Sequence, residues 1–326
     1  MAHSDTLAPS TSLLVDAAAY LAIPAATRVH AQLAITLTDH SYQPRVDDLE
    51  SDWVAHVAVP AFKLYRQQRG GAAIDAFCSI GTGSGLDVLS AVEILGANRV
   101  ALTDVHWDVV AAASGNIARN HLQPLTIQAD YGDLLAPLRR FGARYDVIYE
   151  NLPNVPLANP EELALDRKSS SYVPPRTEAL PELVKRQMLD LHYLALLQSR
   201  EFLAPGGAVL SCLGARMPLE VFLRLGELAG CRSSFLTYTW KVQGDPGEVI
   251  RDHAASQAKG FGPFHFYRAE VLKKTFAAVK PEESGARALE IEQELLPKRL
   301  DAASAFAAFQ KGEKIGHTVA MLQSVL

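Results

Sequence analysis

Hydrophobic and polar positions alternate between two periods along the middle of the chain. Residues 73–80 form a mostly apolar run, Gly81, Gly83 and Gly85 follow at alternate positions, and Leu86, Val88, Leu89, Val92 and Leu95 then recur at helical spacing. This predicts a buried strand, a tight turn and a helix. The same alternation continues with strands over 99–104, 125–131 and 145–150, a helix over 106–120, and a long amphipathic helix over 182–202. Leu203-Ala204-Pro205-Gly206-Gly207 ends that helix before a strand over 208–213, a helix over 219–229 and a strand over 233–240. Strands alternating with helices predict an α/β fold with a mostly parallel, doubly wound sheet. Before this core, the Ser10-Thr11-Ser12 cap and the apolar residues to Leu21 predict a helix ending before Pro24, and 27–37 predicts a second. The stretch 47–68 reads as helical in two pieces around Pro60. The expected division is an N-terminal helical lid over 1–70, the core over 71–269 and a C-terminal helical extension over 270–326. Residues 156–181 are proline-broken and polar, which by length makes them a functional or mobile segment.

Composition narrows the setting. Of 326 residues, 48% are hydrophobic and 21% charged, ordinary for a globular protein. A net charge of −5 argues against a general nucleic-acid surface and for a small-molecule partner. Homo-oligomerisation is left open. Cys78, Cys212 and Cys231 have no metal-ligand spacing, and with no basic leader and no apolar run of membrane length they predict reduced thiols and a cytoplasmic location. No metal site is predicted.

The glycine turn specifies the chemistry only together with its neighbours. A dinucleotide fingerprint would place its third glycine at position 86, which is Leu86, and no Gly-Lys-Ser/Thr follows to make a phosphate loop. Downstream, the second strand ends on Asp104 followed by Val105, the third closes on Asp130 and Tyr131, and the fourth runs into Glu150-Asn151-Leu152-Pro153-Asn154. A carboxylate at the second strand tip can accept both ribose hydroxyls. Gly-x-Gly-x-Gly with polar strand tips in this order resembles the class I S-adenosylmethionine-dependent methyltransferases. That resemblance implies a Rossmann-like, seven-stranded, mostly parallel sheet with helices on both faces, S-adenosylmethionine as cofactor and S-adenosylhomocysteine as product. It also implies cofactor contacts from Ser79, Gly81, Thr82, Gly83, Gly85, Asp104, Val105, Asp130, Tyr131 and Asn151. Ser79 stands where the family commonly has an acidic residue, a place that Asp75 or Thr82 could serve instead.

In that family the turn after the fourth strand faces the departing methyl group, which makes Asn151 and Pro153 the catalytic candidates. The stretches 151–160, 213–218, 238–242, 264–267 and 309–319 resemble the methionine S-methyltransferase family, the plant enzyme's methyltransferase domain and its bacterial relatives. This implies transfer to the thioether of methionine. A thioether has a free lone pair at neutral pH and needs no general base, so His265 and His317 are read as structural. Positive charge on sulfur favours aromatic faces, for which Tyr42, Trp53, Tyr172, Tyr238 and Trp240 are candidates. The amino acid's charged ends assign Arg216 to the carboxylate and Glu150 or Asn151 to the ammonium group, with Asn154 a further substrate-binding candidate. The alternative acceptor is a glutamine amide or another nitrogen of a protein or small metabolite.

Overall fold

A computed structural model describes residues 11–156, 172, 173 and 176–326. Its strands, in chain order, are β1 (Thr11–Asp16), β2 (Gln32–Leu37), β3 (Ala76–Ile80), β4 (Arg99–Asp104), β5 (Thr126–Tyr131), β6 (Tyr145–Glu150), β7 (Val155–Pro156), β8 (Tyr172–Val173), β9 (Leu203–Ala215), β10 (Arg232–Val242), β11 (Tyr267–Arg268) and β12 (Ile315–Val325). Seven of them form the path β10-β12-β9-β6-β3-β4-β5 of one sheet, and β11 pairs beside it with β12. The pairs β3–β4, β4–β5, β3–β6 and β6–β9 are parallel, whereas β12 runs antiparallel to both β9 and β10. This is the expected Rossmann-like fold, a mostly parallel sheet with helices on both faces.

Burial on both faces explains the near-continuous apolar strands. Within β3, every residue is buried. Phe77 packs with Phe62, Val147, Tyr149 and Leu210 on one face, under the helices Val59–Gln68 and Trp107–Asn120. Cys78 and Ile80 pack with Ile148, Val209 and Leu196 on the other, under the helices Asp190–Phe202 and Leu219–Leu228.

The N-terminal region departs from expectation. Residues 11–37 contain an antiparallel hairpin of β1 and β2 joined through the short helix Ala17–Tyr20, rather than two helices. The reason is visible in β2, where Leu33, Ile35 and Leu37 are buried and Gln32 and Ala34 exposed, a period of two that abundant alanines disguise. The free edge of β2 is closed by side chains. Asn116 and Asn120, one turn apart on the helix Trp107–Asn120, each accept from and donate to the backbone of Thr36 and Ala34 at 2.8–3.0 Å, standing in for a missing strand. Glu93 takes the amides of Thr27, Arg28 and Val29 at 2.7–3.0 Å and so fixes the way into β2.

Three further boundaries move. The helical run before β3 changes from a wide turn over Val54–Ala58 to the helix Val59–Gln68, with Pro60 in that helix's first turn, so the join precedes the proline. The expected long helix splits at Met188, which has φ 55°, into Glu182–Arg186 and Asp190–Phe202. Most consequentially, 270–326 is no separate helical extension. After the helices Ala269–Phe276, Pro281–Ser284, Ala288–Leu295 and Ala302–Gln310 it supplies β12, a central strand of the sheet.

Candidate active site

The sheet reverses its winding at β3: β4 and β5 lie to one side, β6 and β9 to the other. Ligands in open α/β sheets bind at such a point, beyond the carboxyl ends of the strands. Here a cavity of about 1020 Å³ opens, lined from the glycine loop to the ends of β9, β10 and β12.

Its floor is the loop after β3. Gly81, Gly83 and Gly85 have φ of 68°, 52° and 80°, a region in which L side chains are strained. The Gly81 and Thr82 amides donate to the Thr103 carbonyl at 2.8 and 3.1 Å, tying the turn to β4. At Gly83 nothing stands within 4 Å of where a Cβ would be, leaving open space over the backbone. Asp104 accepts from the Gly83 amide at 3.4 Å and the His106 amide at 3.2 Å, and burial raises its carboxyl to about 6. Gly81, Thr82, Gly83, Asp104 and Val105 line the cavity as expected, and Gly85 instead caps the helix behind it, against Ala113 and Ile117.

Ser79 is fully buried beneath the loop and does not line the cavity. Its hydroxyl donates to Asp87, which also accepts from Thr82 Oγ1 at 3.2 Å and from the Val88 amide at 2.8 Å. The carboxylate missing from the strand is thus supplied from the first turn of the next helix, and burial raises it to about 6. Asp75 plays no part, being exposed at the far end of β3 in a pair with Arg99.

Asn151, Leu152, Pro153 and Asn154 form the wall facing the loop. Three residues expected at the cavity are elsewhere. Glu150 is fully buried, with both oxygens at 2.9–3.0 Å from His192 Nδ1, so it belongs to the core. Asp130 pairs with Arg140 Nε at 3.1 Å and Tyr131 is exposed. The chain turns at Gly132, so Asp133 and Leu134 reach the cavity in their place. Arg176 holds Asp133 with two bonds, at 2.8 and 3.1 Å.

The far half of the cavity takes Tyr20, Tyr42, Asp52 and Trp53 from the N-terminal region and Arg216, Lys241, Gln243 and His317 from the sheet's other flank. Asp52 is buried and fully engaged, accepting from Tyr20 Oη at 2.8 Å and from the Arg45, Val54 and Ala55 amides at 2.9 Å. Burial moves the Tyr42 hydroxyl up to about 12. Arg216 is buried, and its Nε and Nη2 donate to Gln243 Oε1 at 3.0 and 2.8 Å. Lys241 Nζ donates to the Ser51 carbonyl and lies 4.9 Å from the Trp53 ring centre, and burial lowers its ammonium to about 8.

Tyr238 and Trp240 do not reach the cavity. Tyr238 packs edge-on against Phe276 at 5.5 Å in the core, and the Trp240 carbonyl lies 3.0 Å from His56 Nε2. Alternation along β10 sends these even-numbered aromatics to one face and Lys241 to the other. Tyr172 pairs through its backbone with Val155, and its side chain, like most of 157–175, lies outside the described residues. His317, expected to be structural, lines the cavity, whereas His265 is buried behind Arg216.

At the rim, His40, His106 and Asp108 bring ligand-type atoms within 4.8 Å of one another. The two imidazoles are stacked at 4.2 Å with their planes 7° apart. An ion in the plane of one ring therefore sits well out of the plane of the other, poor geometry for imidazole ligation. With His40 Nδ1 3.0 Å from Asp108, the group makes an aromatic ledge next to Asp104.

No family model and no curated protein matches the chain. Among solved structures it is similar to the ribosomal protein L11 methylase of Lactobacillus delbrueckii subsp. bulgaricus, at 17% identity over 61% of this chain and 84% of that one, TM-score 0.37. It is similar to the cyclopropane synthase MmaA2 of Mycobacterium tuberculosis, at 14% identity over 82% and 84%, TM-score 0.39. A third similar structure is a protein described as a methyltransferase candidate and complexed with S-adenosylhomocysteine, at 16% identity over 64% of this chain and 47% of that one, TM-score 0.43. About half of that third chain is thus spanned. The assignment of the fold rests on the sheet order of this protein itself.

The cavity residues also fit an adenosyl group. Beyond the open cradle at Gly83 and the carboxylate of Asp104, Thr103 Oγ1 and His106 Nε2 are buried polar atoms without a partner among the described residues, on residues that line the cavity. Buried polar atoms of this kind call for a ligand or ordered water.

Proposed function

We propose that the protein is an S-adenosylmethionine-dependent methyltransferase and that its acceptor is the thioether of L-methionine, giving S-methylmethionine. The observation that carries this reading is the convergence of the glycine loop, Asp104 and the Asn151–Pro153 wall on one cavity whose far half holds Arg216. The bound cofactor would supply an electrophilic methyl group on a sulfonium centre. Asp104 would accept the ribose hydroxyls, the loop at Gly81 and Gly83 would receive the rest of the nucleoside against backbone, and Asp133 and Leu134 would border the base.

Asn151 and Pro153 would hold the acceptor atom in line with the methyl, at about 3 to 3.5 Å, an orientation worth several kcal/mol of barrier. A thioether needs no proton removed, so these residues act through position. Tyr20 and Tyr42 offer ring faces near the charge on sulfur. Trp53 is less suited, because the Lys241 ammonium already lies against it. A second reading, transfer to an amide or amine nitrogen, is favoured by Asn151 itself, whose side-chain carbonyl can hold an N–H.

The test is methyl transfer from S-adenosylmethionine to a panel of free amino acids, with mass analysis of the product. One added methyl on methionine, lost in Asn151→Ala, is the expected result. Turnover of a nitrogen acceptor with methionine inert would retire the thioether reading and keep the cofactor site.

A further inference from the structure

We infer that the acceptor enters as a carboxylate anion seated across a row of three nitrogen side chains, Arg216, His317 and Lys241. The inference deepens the reading of an amino-acid acceptor and rests on it. The row is built by register. In the antiparallel pairing of β12, Thr318 stands opposite Ala215 of β9 and His317 opposite Lys241 of β10. Arg216, one residue past the end of β9, therefore stands level with His317, and His317 level with Lys241. Level residues on neighbouring strands project to the same face, and all three line the cavity. They are 6%, 1% and 3% exposed.

The row carries positive charge that no ion pair balances among the described residues. Among the described residues, Arg216 has no carboxylate partner, and its fork spends two donors on a single neutral oxygen of Gln243. Lys241 likewise donates to a carbonyl. Of the two carboxylates near the lysine, Asp52 is occupied by a tyrosine hydroxyl and three amides, and Asp48 accepts from Ser51 Oγ at 2.6 Å. His317 Nδ1 is buried with no partner among the described residues. A buried guanidinium without a counter-ion costs several kcal/mol, and a planar carboxylate matches its fork. Space for the fork is made by Gly214, where a Cβ would fall 2.3 Å from Arg216 Nη1. His317 thus becomes a binding residue of the acceptor end.

Calorimetry on the full chain saturated with S-adenosylhomocysteine tests this, with L-methionine, L-norleucine and L-methioninol titrated in turn. Norleucine keeps the carboxylate and removes the sulfur; methioninol does the reverse. The expected result is that both acids bind within about tenfold of each other, with methioninol weaker by roughly 100-fold. Arg216→Gln and Lys241→Met should each weaken both acids by roughly tenfold or more while S-adenosylhomocysteine still binds, which certifies the fold. Methioninol binding as tightly as methionine, or neither acid binding to a protein that holds S-adenosylhomocysteine, overturns the inference. Norleucine binding together with no methyl transfer to methionine supports the anion row and removes the methionine reading alone.

Discussion

The two halves of the cavity are built by different means. The half around Gly81, Gly83 and Asp104 is local: a strand, its turn and the tip of the adjacent strand, with open space over the Gly83 backbone. The half around Arg216, Lys241 and His317 has no local motif. It exists because three distant stretches are laid side by side by β12, which arrives from the last residues of the chain. The loop half offers the cavity main-chain shape, and the other half buried side-chain charge. Substitutions should therefore separate them.

The largest expected effect is on the loop half. Asp104→Ala removes the carboxylate meant for the two ribose hydroxyls; hydrogen bonds to a charged group are worth about 1.5 to 3 kcal/mol each, so S-adenosylhomocysteine affinity should fall by at least roughly 100-fold. An affinity within threefold of wild type, measured by calorimetry, would remove Asp104 from the site.

Acid should weaken the same half. Burial holds Asp104 at about 6, above the ordinary carboxylate range. Above that pH the group is ionised and accepts both hydroxyls; below it a proton occupies the carboxyl. Affinity for S-adenosylhomocysteine should thus be flat from pH 8 to 7 and fall toward tenfold per pH unit below about 6. Asp87 titrates near the same value, and an acid loss that persists in Asp87→Asn assigns it to Asp104. A profile flat down to pH 5 would contradict the assignment.

Gly214→Ala should act on the other half alone. A Cβ there collides with Arg216 Nη1 and pushes the fork off Gln243, so acceptor affinity should drop by roughly tenfold while S-adenosylhomocysteine affinity stays put. Equal losses for both ligands would show that the halves are not separable. The smallest effect belongs to Ser79→Ala, which removes one buried bond to Asp87 and should lower stability by about 1 kcal/mol in denaturant melts. A large loss of cofactor affinity would return Ser79 to the direct contacts from which its burial excludes it.

The same contrast explains what could be read in the sequence. The cavity positions of Gly81, Gly83, Asp104 and Asn151 are legible because each lies at a strand tip fixed by local pattern. Asp87 escaped because its carboxylate reaches the loop from the first turn of a helix, where an acidic residue reads as an ordinary N-terminal charge. Asp133 replaced Asp130 because Gly132 turns the chain after β5. Arg216 was legible as the residue closing a strand, but Lys241 and His317 depend on register between β9, β12 and β10, which no local pattern carries. The aromatics of β10 were misplaced for the same reason: alternation tells that Tyr238 and Lys241 face opposite ways, not which face meets the cavity. At the N-terminus, alanine-rich composition hid the period-two burial of Leu33, Ile35 and Leu37.

Both halves of the cavity would serve one reaction, which a crystal structure with S-adenosylhomocysteine and L-methionine checks. Expected are the ribose on Asp104, the methionine carboxylate across Arg216, His317 and Lys241, and the thioether beside Asn151 facing the cofactor sulfur. Cofactor bound away from Asp104, or methionine with its carboxylate turned from Arg216, would contradict it.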